Sequence, residues 1–431
     1  MTQHPRAHRI RLGLLAVPAA GALILGGCSA TPSTGETEGA SQSFSFTFAT
    51  SNNLESPYQT LADAYMEANE GVTIETNPTP NDRYGDTIRT QLQAGNASDV
   101  VQTTPGSGDA RGLIPLAEAG FLAPLGETAA GLVPVGSEPI FQIDGETYGQ
   151  AIDFTVVGMI ASMGTAGQSG ITEFPTAFDE FLAACESLAG EGKSMIAFAG
   201  AAPPNVGLTI QALSATRVFA ETPDWNAQRE AGEVTFADSE EWRNTLQTFV
   251  DLNERGCFQP GAEGAGFDAI TNGLSQGTSI GSFAPSGAAV EISRAAPPEA
   301  EIVVQPFPAA DGGDPYVIAS SNYTISLNAQ AENAEAATAF IEWLATPEAQ
   351  QIYFEASGEL PSAGYEELDL EETIYAPVVD LIESESYTPL PGNVWPNPAV
   401  MDAMQVGGQG LLTGQATIDQ VLASLDAAWG E

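Results

Sequence analysis

The sequence predicts an α/β protein with two domains. Three observations lead there. Its 431 residues exceed what one compact core of ordinary size organises. Short apolar runs with a period of two alternate with stretches whose apolar residues recur at helical spacing. Strands that alternate with helices in this way imply a parallel sheet covered on both faces.

Folding is expected to begin at Phe44, which alternates with Phe46 and Phe48 as in a strand. Ser56-Pro57 then offers an N-cap and a proline at the first helical position. Tyr58, Leu61, Ala62, Tyr65 and Met66 share one helical face, and Gly71 stops it. Val72 and Ile74 start a second strand. Tyr84, Ile88 and Leu92 mark a helix ending near Gly95, and Val100-Val101 is a short buried strand. The stretch 113–125 reads as a helix with a break at Gly120, and 147–152 and 156–162 read as extended. Phe178, Phe181, Leu182, Cys185 and Leu188 fall on one helical face, followed by a strand at 195–199. A helix spans 242–253, closed by Gly256, and strands follow at 280–283, 302–304 and 316–327. Phe340, Ile341 and Leu344 lie on a helix that Thr346-Pro347 ends and restarts, and 366–382 is helical in part. Thr417 and Gln420 form a capping box before Val421, Leu422 and Leu425.

Ahead of this body, Arg6, Arg9 and Arg11 precede an apolar run over 12–27. Positive residues, an apolar stretch and small residues in that order form a secretory signal. The run is too short, and too rich in Gly, Ala and Pro, for a comfortable membrane span. It ends at Gly26-Gly27-Cys28, which resembles a bacterial lipobox, in which the Cys is acylated and becomes the first residue of the mature chain. An ordinary signal with a chance Cys is the alternative. The expected division is a signal at 1–27 and a lipidated, flexible tether at 28–42, rich in Ser, Thr, Gly and Glu. The protein would then sit on the extracytoplasmic face of the cell membrane, held by lipid on Cys28.

Twelve basic residues stand against 56 acidic ones, giving a formal charge of -44. Loss of the three signal arginines takes it to -47. Such a surface repels phosphate backbones and anionic lipid, so nucleic acid is a poor partner and a neutral ligand the easiest to accommodate. His4 and His8 both lie in the signal. A mature chain without histidine cannot run Ser-His-Asp or Cys-His catalysis or hold a His-ligated metal. Neither a GxxxxGK[ST] phosphate loop nor HExxH occurs, and no cofactor or metal is expected. Cys185 and Cys257 remain as an even pair in an oxidising compartment, where we expect a bridge over two free thiols.

Eight phrases, in order, resemble the family 1 extracellular solute-binding proteins of ABC importers. Among them are LADAYMEANEGV from residue 61, QLQAGNASDVV from 91, LIPLAEAGFLAPL from 113 and DGETYGQAID from 144. LSQGTSIGSF from 274, AFIEWLATPEAQQIYFEASGELPS from 339 and LLTGQATIDQVLASLDAAW from 411 continue the series. The resemblance implies a two-lobed periplasmic-binding-protein type II-like fold with a three-crossing hinge. Lobe one is placed at 43–152 plus 318–365, and lobe two at 155–314 plus 370–431. It further implies a monomer, not an enzyme, that captures a neutral sugar or small oligosaccharide between the lobes and delivers it to importer membrane subunits. The alternatives are a carboxylate-dependent glycoside hydrolase and a binder of a non-sugar solute.

Ligands in such folds lie beyond the carboxyl ends of the strands. Sugar sites need flat apolar faces for the ring and planar polar groups for its hydroxyls. Candidates are Asn52 and Asn53 after the first strand, and Gln102 and Thr103 after the strand at 100–101. Either asparagine could instead cap the next helix. Tyr84 reads first as helix core, and its position at the start of the helix keeps it a candidate. Asp153 stands where similar sugar binders carry an acid that bonds hydroxyls. Phe283 stands where the family often has Trp, although a core role is as well supported. Asn322 and Tyr323 fall at an expected lobe crossing. Trp395, in the loop PLPGNVWPNP, is read as a stacking platform because that loop has no helical or strand period. After Val101 the chain departs from the maltodextrin-binding pattern, with Thr103, Thr104, Pro105 and Gly106 in place of an aromatic and an acid.

Overall fold

The computed structural model describes residues 43–50, 56–108, 110–134, 137–289, 292, 296–310, 313–365 and 368–430. Cys28, Asn52 and Asn53 lie outside the described residues. In chain order the first strands are Ser43–Thr50 (β1), Thr73–Pro80 (β2), Val100–Thr103 (β3), Leu122–Ala123 (β4), Gln142–Ile143 (β5), Glu146–Thr147 (β6) and Gln150–Ala151 (β7). Then come Asp153–Ser162 (β8), Ser194–Ile196 (β9), Ser279–Pro285 (β10), Ile302–Gln305 (β11) and Val317–Ser320 (β12). Thr324–Asn328 (β13), Leu360–Pro361 (β14) and Tyr387–Thr388 (β15) complete the set.

These strands sort into two principal sheets. The first has the order β2-β1-β3-β13-β4, with β7 also paired to β13. The second has the order β15-β12-β8-β10-β9, with β11 and β14 also on β8. Each sheet carries helices and is the centre of one lobe. The expected parallel pairing holds for β1 with β2 and β3 in the first sheet, and for β9 with β10 and β12 with β15 in the second. In contrast, β13 runs antiparallel to β3, and β8 antiparallel to β10, β11 and β12. The reason is connectivity: strands that enter from the other lobe arrive in the opposite direction.

Both sheets are buried on two faces. In lobe one, Phe44, Phe46, Phe48, Tyr58, Leu61 and Phe340 fill one side, and Tyr84, Ile88, Leu92 and Leu113 the other. In lobe two all ten residues of β8 are buried. Its alternating side chains serve different cores: Phe154, Val156 and Ile160 join one, Val157 and Met159 the other. That is the period-two pleat of a strand covered on both faces.

Local signals in the sequence act as expected at several helix ends. The Ser56 side chain accepts from the Tyr58 N–H with Pro57 at the first turn, and Thr346 caps the helix Pro347–Ser357 in the same way. Thr417 and Gln420 make the full capping box. The helix expected over 113–125 is shorter, Leu113–Glu118, because the chain turns at Gly120 to supply β4. A disulfide joins Cys185, on the helix Phe178–Gly190, to Cys257, with Cα atoms 4.6 Å apart. Both ends lie in lobe two.

The lobe boundaries differ from the expectation at two places. Val317–Ser320 pairs with β8 and β15 in the second sheet, so the crossing comes at 321–323 rather than before 318. Leu360–Pro361 also pairs with β8, so the third crossing is at 358–359 rather than after 365. The first crossing is Ile152, between β7 and β8.

Candidate functional site

The three crossings meet around one carboxylate. Asp153, 1 % exposed, begins β8 directly after the first crossing. Its Oδ1 accepts the backbone N–H of Asn322 at 2.7 Å and of Tyr323 at 3.4 Å, and the Ser321 hydroxyl at 3.2 Å. The second crossing is thus tied to the first. From the third crossing, buried Glu359 hydrogen-bonds Asp153 and accepts the Thr155 hydroxyl at 2.6 Å. Tyr353, on the lobe-one helix that precedes Glu359, places its hydroxyl 3.4 Å from the second Asp153 oxygen.

Burial of two acids side by side has a clear electrostatic result. Loss of water disfavours the charged form, and each carboxylate disfavours ionisation of its neighbour. Burial, then the charge of Glu359, drives the Asp153 carboxyl well above its ordinary range, although the Asn322 and Tyr323 N–H groups oppose the shift. Burial raises Glu359 too, opposed by hydrogen bonds from Asp153, Thr155 and Gly287. The pair therefore titrates as a unit that retains a proton.

Asp153 is therefore a hinge organiser, a correction to its expected role as a ligand-facing acid. Its oxygens are occupied by the chain's own donors. Gln102 and Thr103 are likewise spent inside lobe one. The Gln102 Oε1 accepts from the Ala49 N–H at 2.8 Å, and the Thr103 hydroxyl bonds those of Thr324 and Ser326. The Tyr84 hydroxyl donates to the Gln102 carbonyl at 2.7 Å and accepts from its N–H at 3.0 Å, within the core. All three are completely or nearly completely buried.

Phe283 and Trp395 are core residues, which for Phe283 is the alternative the sequence left equally open and for Trp395 goes against expectation. Phe283 packs on Phe307, with ring centroids 5.5 Å apart. Trp395 is 0 % exposed, with its ring near Phe236 and Trp242 and its indole N–H donating to Asn226 at 3.3 Å. The loop around it lacks a period, as read from the sequence, but the side chain points inward as its anchor. Asn322 and Tyr323 stay half-buried at the crossing.

Sequence reasoning missed Arg111. Its guanidinium lies between two aromatic rings, 5.3 Å from the Tyr84 centroid and 5.1 Å from that of Tyr323. These rings come from the helix Asn81–Ala94 and from the second crossing. The surrounding loop is held by the Thr104 N–H donating to the Arg111 carbonyl at 3.2 Å and the Leu113 N–H donating to the Thr104 carbonyl at 2.8 Å. A cation stacked between two rings is held in place by both. The one available signal was scarcity: Arg111 is one of nine basic residues after the signal.

Beyond the hinge, a lobe-two loop reaches lobe one. Its short helix Pro391–Val394 is positioned by Gln211, whose Oε1 accepts the Gly392 N–H at 2.7 Å, and by Asn226, which donates to the Pro391 carbonyl at 3.4 Å. Across the gap, the Ser107 N–H donates to the Asn393 carbonyl at 2.9 Å. A separate surface groove of about 540 Å³ lies between the helices Pro398–Leu412 and Ile418–Trp429. It is lined largely by small and polar side chains such as Gly410, Ala416 and Gln415, without an aromatic ring, and is remote from the hinge.

Two α/β lobes, three crossings and a contact across the intervening gap are the parts of a protein that encloses a solute. Residues 50–351 match the family model of the bacterial extracellular solute-binding proteins. The chain belongs to that family. Sequence comparison with curated proteins returns no match. Among solved structures, a protein from a study of xylan utilisation by Caldanaerobius polysaccharolyticus is similar at 19% identity and a TM-score of 0.75, covering 89% of this chain and 99% of that one. A chitin oligosaccharide binding protein is 19% identical, TM-score 0.74, covering 90% and 98%. RafE in complex with raffinose is 18% identical, TM-score 0.72, again covering 90% and 98%. At these identities the likeness shows the two-lobed fold. No helix among the described residues of this family member is long and apolar enough to cross a membrane.

Proposed function

We propose that this solute-binding protein captures a neutral sugar or small oligosaccharide between its lobes and delivers it to the membrane subunits of an ABC importer. The observation that carries the reading is the second crossing, where half-buried Asn322 and Tyr323 set a planar polar group and a ring between the lobes. Sugar rings need both. The xylan, chitin-oligosaccharide and raffinose contexts of the structural relatives point the same way. So does the acidic chain, whose overall field disfavours anionic ligands. Asn322 and Tyr323 are the proposed contacts from the original candidates, with Arg111 added. The protein works as a monomer tethered by lipid on Cys28, outside the cytoplasmic membrane.

The hydrolase alternative gains nothing from the acids at the hinge. Glycosidase carboxyls flank a sugar at about 5–9.5 Å, whereas Asp153 and Glu359 hydrogen-bond one another and are buried. Thermal denaturation against neutral sugars, polyols and amino acids tests the reading. A ligand at 100 times its dissociation constant should add about 2.7 kcal/mol to stability. A response confined to amino acids or peptides would overturn the sugar assignment.

A further inference from the structure

The contact between loop 104–108 and loop 390–395 is made from main chain, and two glycines permit it. A Cβ built on Gly106 would stand 1.8 Å from the Asn393 carbonyl oxygen, and one built on Gly108 1.8 Å from that of Gly392. The three heavy atoms nearest a Cβ at Gly108 all belong to lobe two: the Gly392 carbonyl oxygen, its carbon and the Asn393 nitrogen. Gly106 has φ +78, so a side chain there would also strain its own loop. Gly108 carries no such positive φ. The opposing surface is held from below by Gln211, Asn226 and the buried Trp395, so it has little room to retreat.

We propose that these loops form a latch between the lobes, and that Gly108 is the positioning residue that sets how closely they meet. A hydrogen atom in place of a side chain lets the Ser107 N–H reach the Asn393 carbonyl. A substituent at 108 would meet the lobe-two loop first and hold the loops apart. The latch lies in the stretch after Val101 where the chain departs from the maltodextrin-binding pattern. It rests on the reading that the lobes open and close around a solute.

The test uses the full chain, spin-labelled once in each lobe, with distances measured by pulsed electron resonance and no sugar added. Gly108→Ala is compared with wild type and with Gly126→Ala, a lobe-one control whose added Cβ meets nothing within 4 Å. The expected result for Gly108→Ala is loss of the shortest interlobe distances, with a melting temperature matching that of the control. An unchanged distance distribution overturns the proposal. So does a lowered melting temperature with unchanged distances, which would make Gly108 a local structural residue. Because no ligand enters the measurement, failure of the latch and failure of sugar capture are distinguishable.

Discussion

At the hinge, the lobes are joined by chain and by buried side chains. Asp153, Ser321, Tyr353 and Glu359 come from three crossings and the helix beside them, and they hold one another through directed hydrogen bonds. At the latch, the lobes meet through main chain at positions where side chains are missing, and one N–H to carbonyl bond spans the gap. The hinge costs buried charge and stays together as the lobes move. The latch exposes only backbone groups that water can satisfy when the loops part. The difference teaches that a movable contact has to be cheap to break, whereas a pivot can hold strong interactions because it never has to release them.

The sharpest way to break this comparison is to remove the support beneath the latch. Trp395→Ala should destabilise the protein by about 3–5 kcal/mol, the usual cost of emptying a large aromatic site, in urea unfolding without ligand. A loss of sugar affinity with stability intact would return Trp395 to the cleft. Next in size is the hinge. Asp153→Ala leaves the Asn322 and Tyr323 N–H groups without their acceptor, whereas the Ser321 hydroxyl keeps the Tyr323 carbonyl. Two half-buried groups at about 1–2 kcal/mol each, the lower part of the range for an unpaired group, give an expected loss of about 2–4 kcal/mol. Asp153→Asn keeps an acceptor oxygen and should lose much less. Equal losses would mean the charge, not the hydrogen bonding, holds the crossings.

The smallest effect concerns pH. Both hinge carboxyls are raised above their ordinary values, so the folded pair keeps a proton that the unfolded chain has released. Stability from this source is complete below the ordinary carboxyl range of about 4, and it is lost as pH rises through the elevated values. Glu359→Gln imitates the protonated acid. It should match wild type near pH 4 and flatten the decline toward pH 8, as read from unfolding curves at several pH values. An identical slope in the variant would show that the pair does not carry the proton.

What the sequence made legible was local. Ser56-Pro57, Thr346-Pro347 and the Thr417–Gln420 box were readable because a cap depends on residues within one turn. The crossing at 321–323 was hidden inside one extended run, since strand period alone does not reveal a change of sheet. Trp395 was correctly placed in a Pro-rich loop, but the direction of its ring depends on Phe236 and Trp242, more than 150 positions away. Arg111 draws its role from rings at positions 84 and 323. Glu359 was one acid among 56 until the fold placed it beside Asp153. Site geometry of this kind is long-range, and periodicity carries none of it.

The Cys185–Cys257 bond has a mechanical consequence. It fastens the helix Phe178–Gly190 to the segment whose Cys257 carbonyl receives the Ile196 N–H of β9 at 2.8 Å. Both attachments travel with the same body. The bond acts like a brace within the leaf of a door, stiffening what swings without bolting it to the frame. Reduction should therefore make lobe two more compliant, so that part of any push from a bound solute would be absorbed as internal flexing before it reached the outer surface that an importer reads.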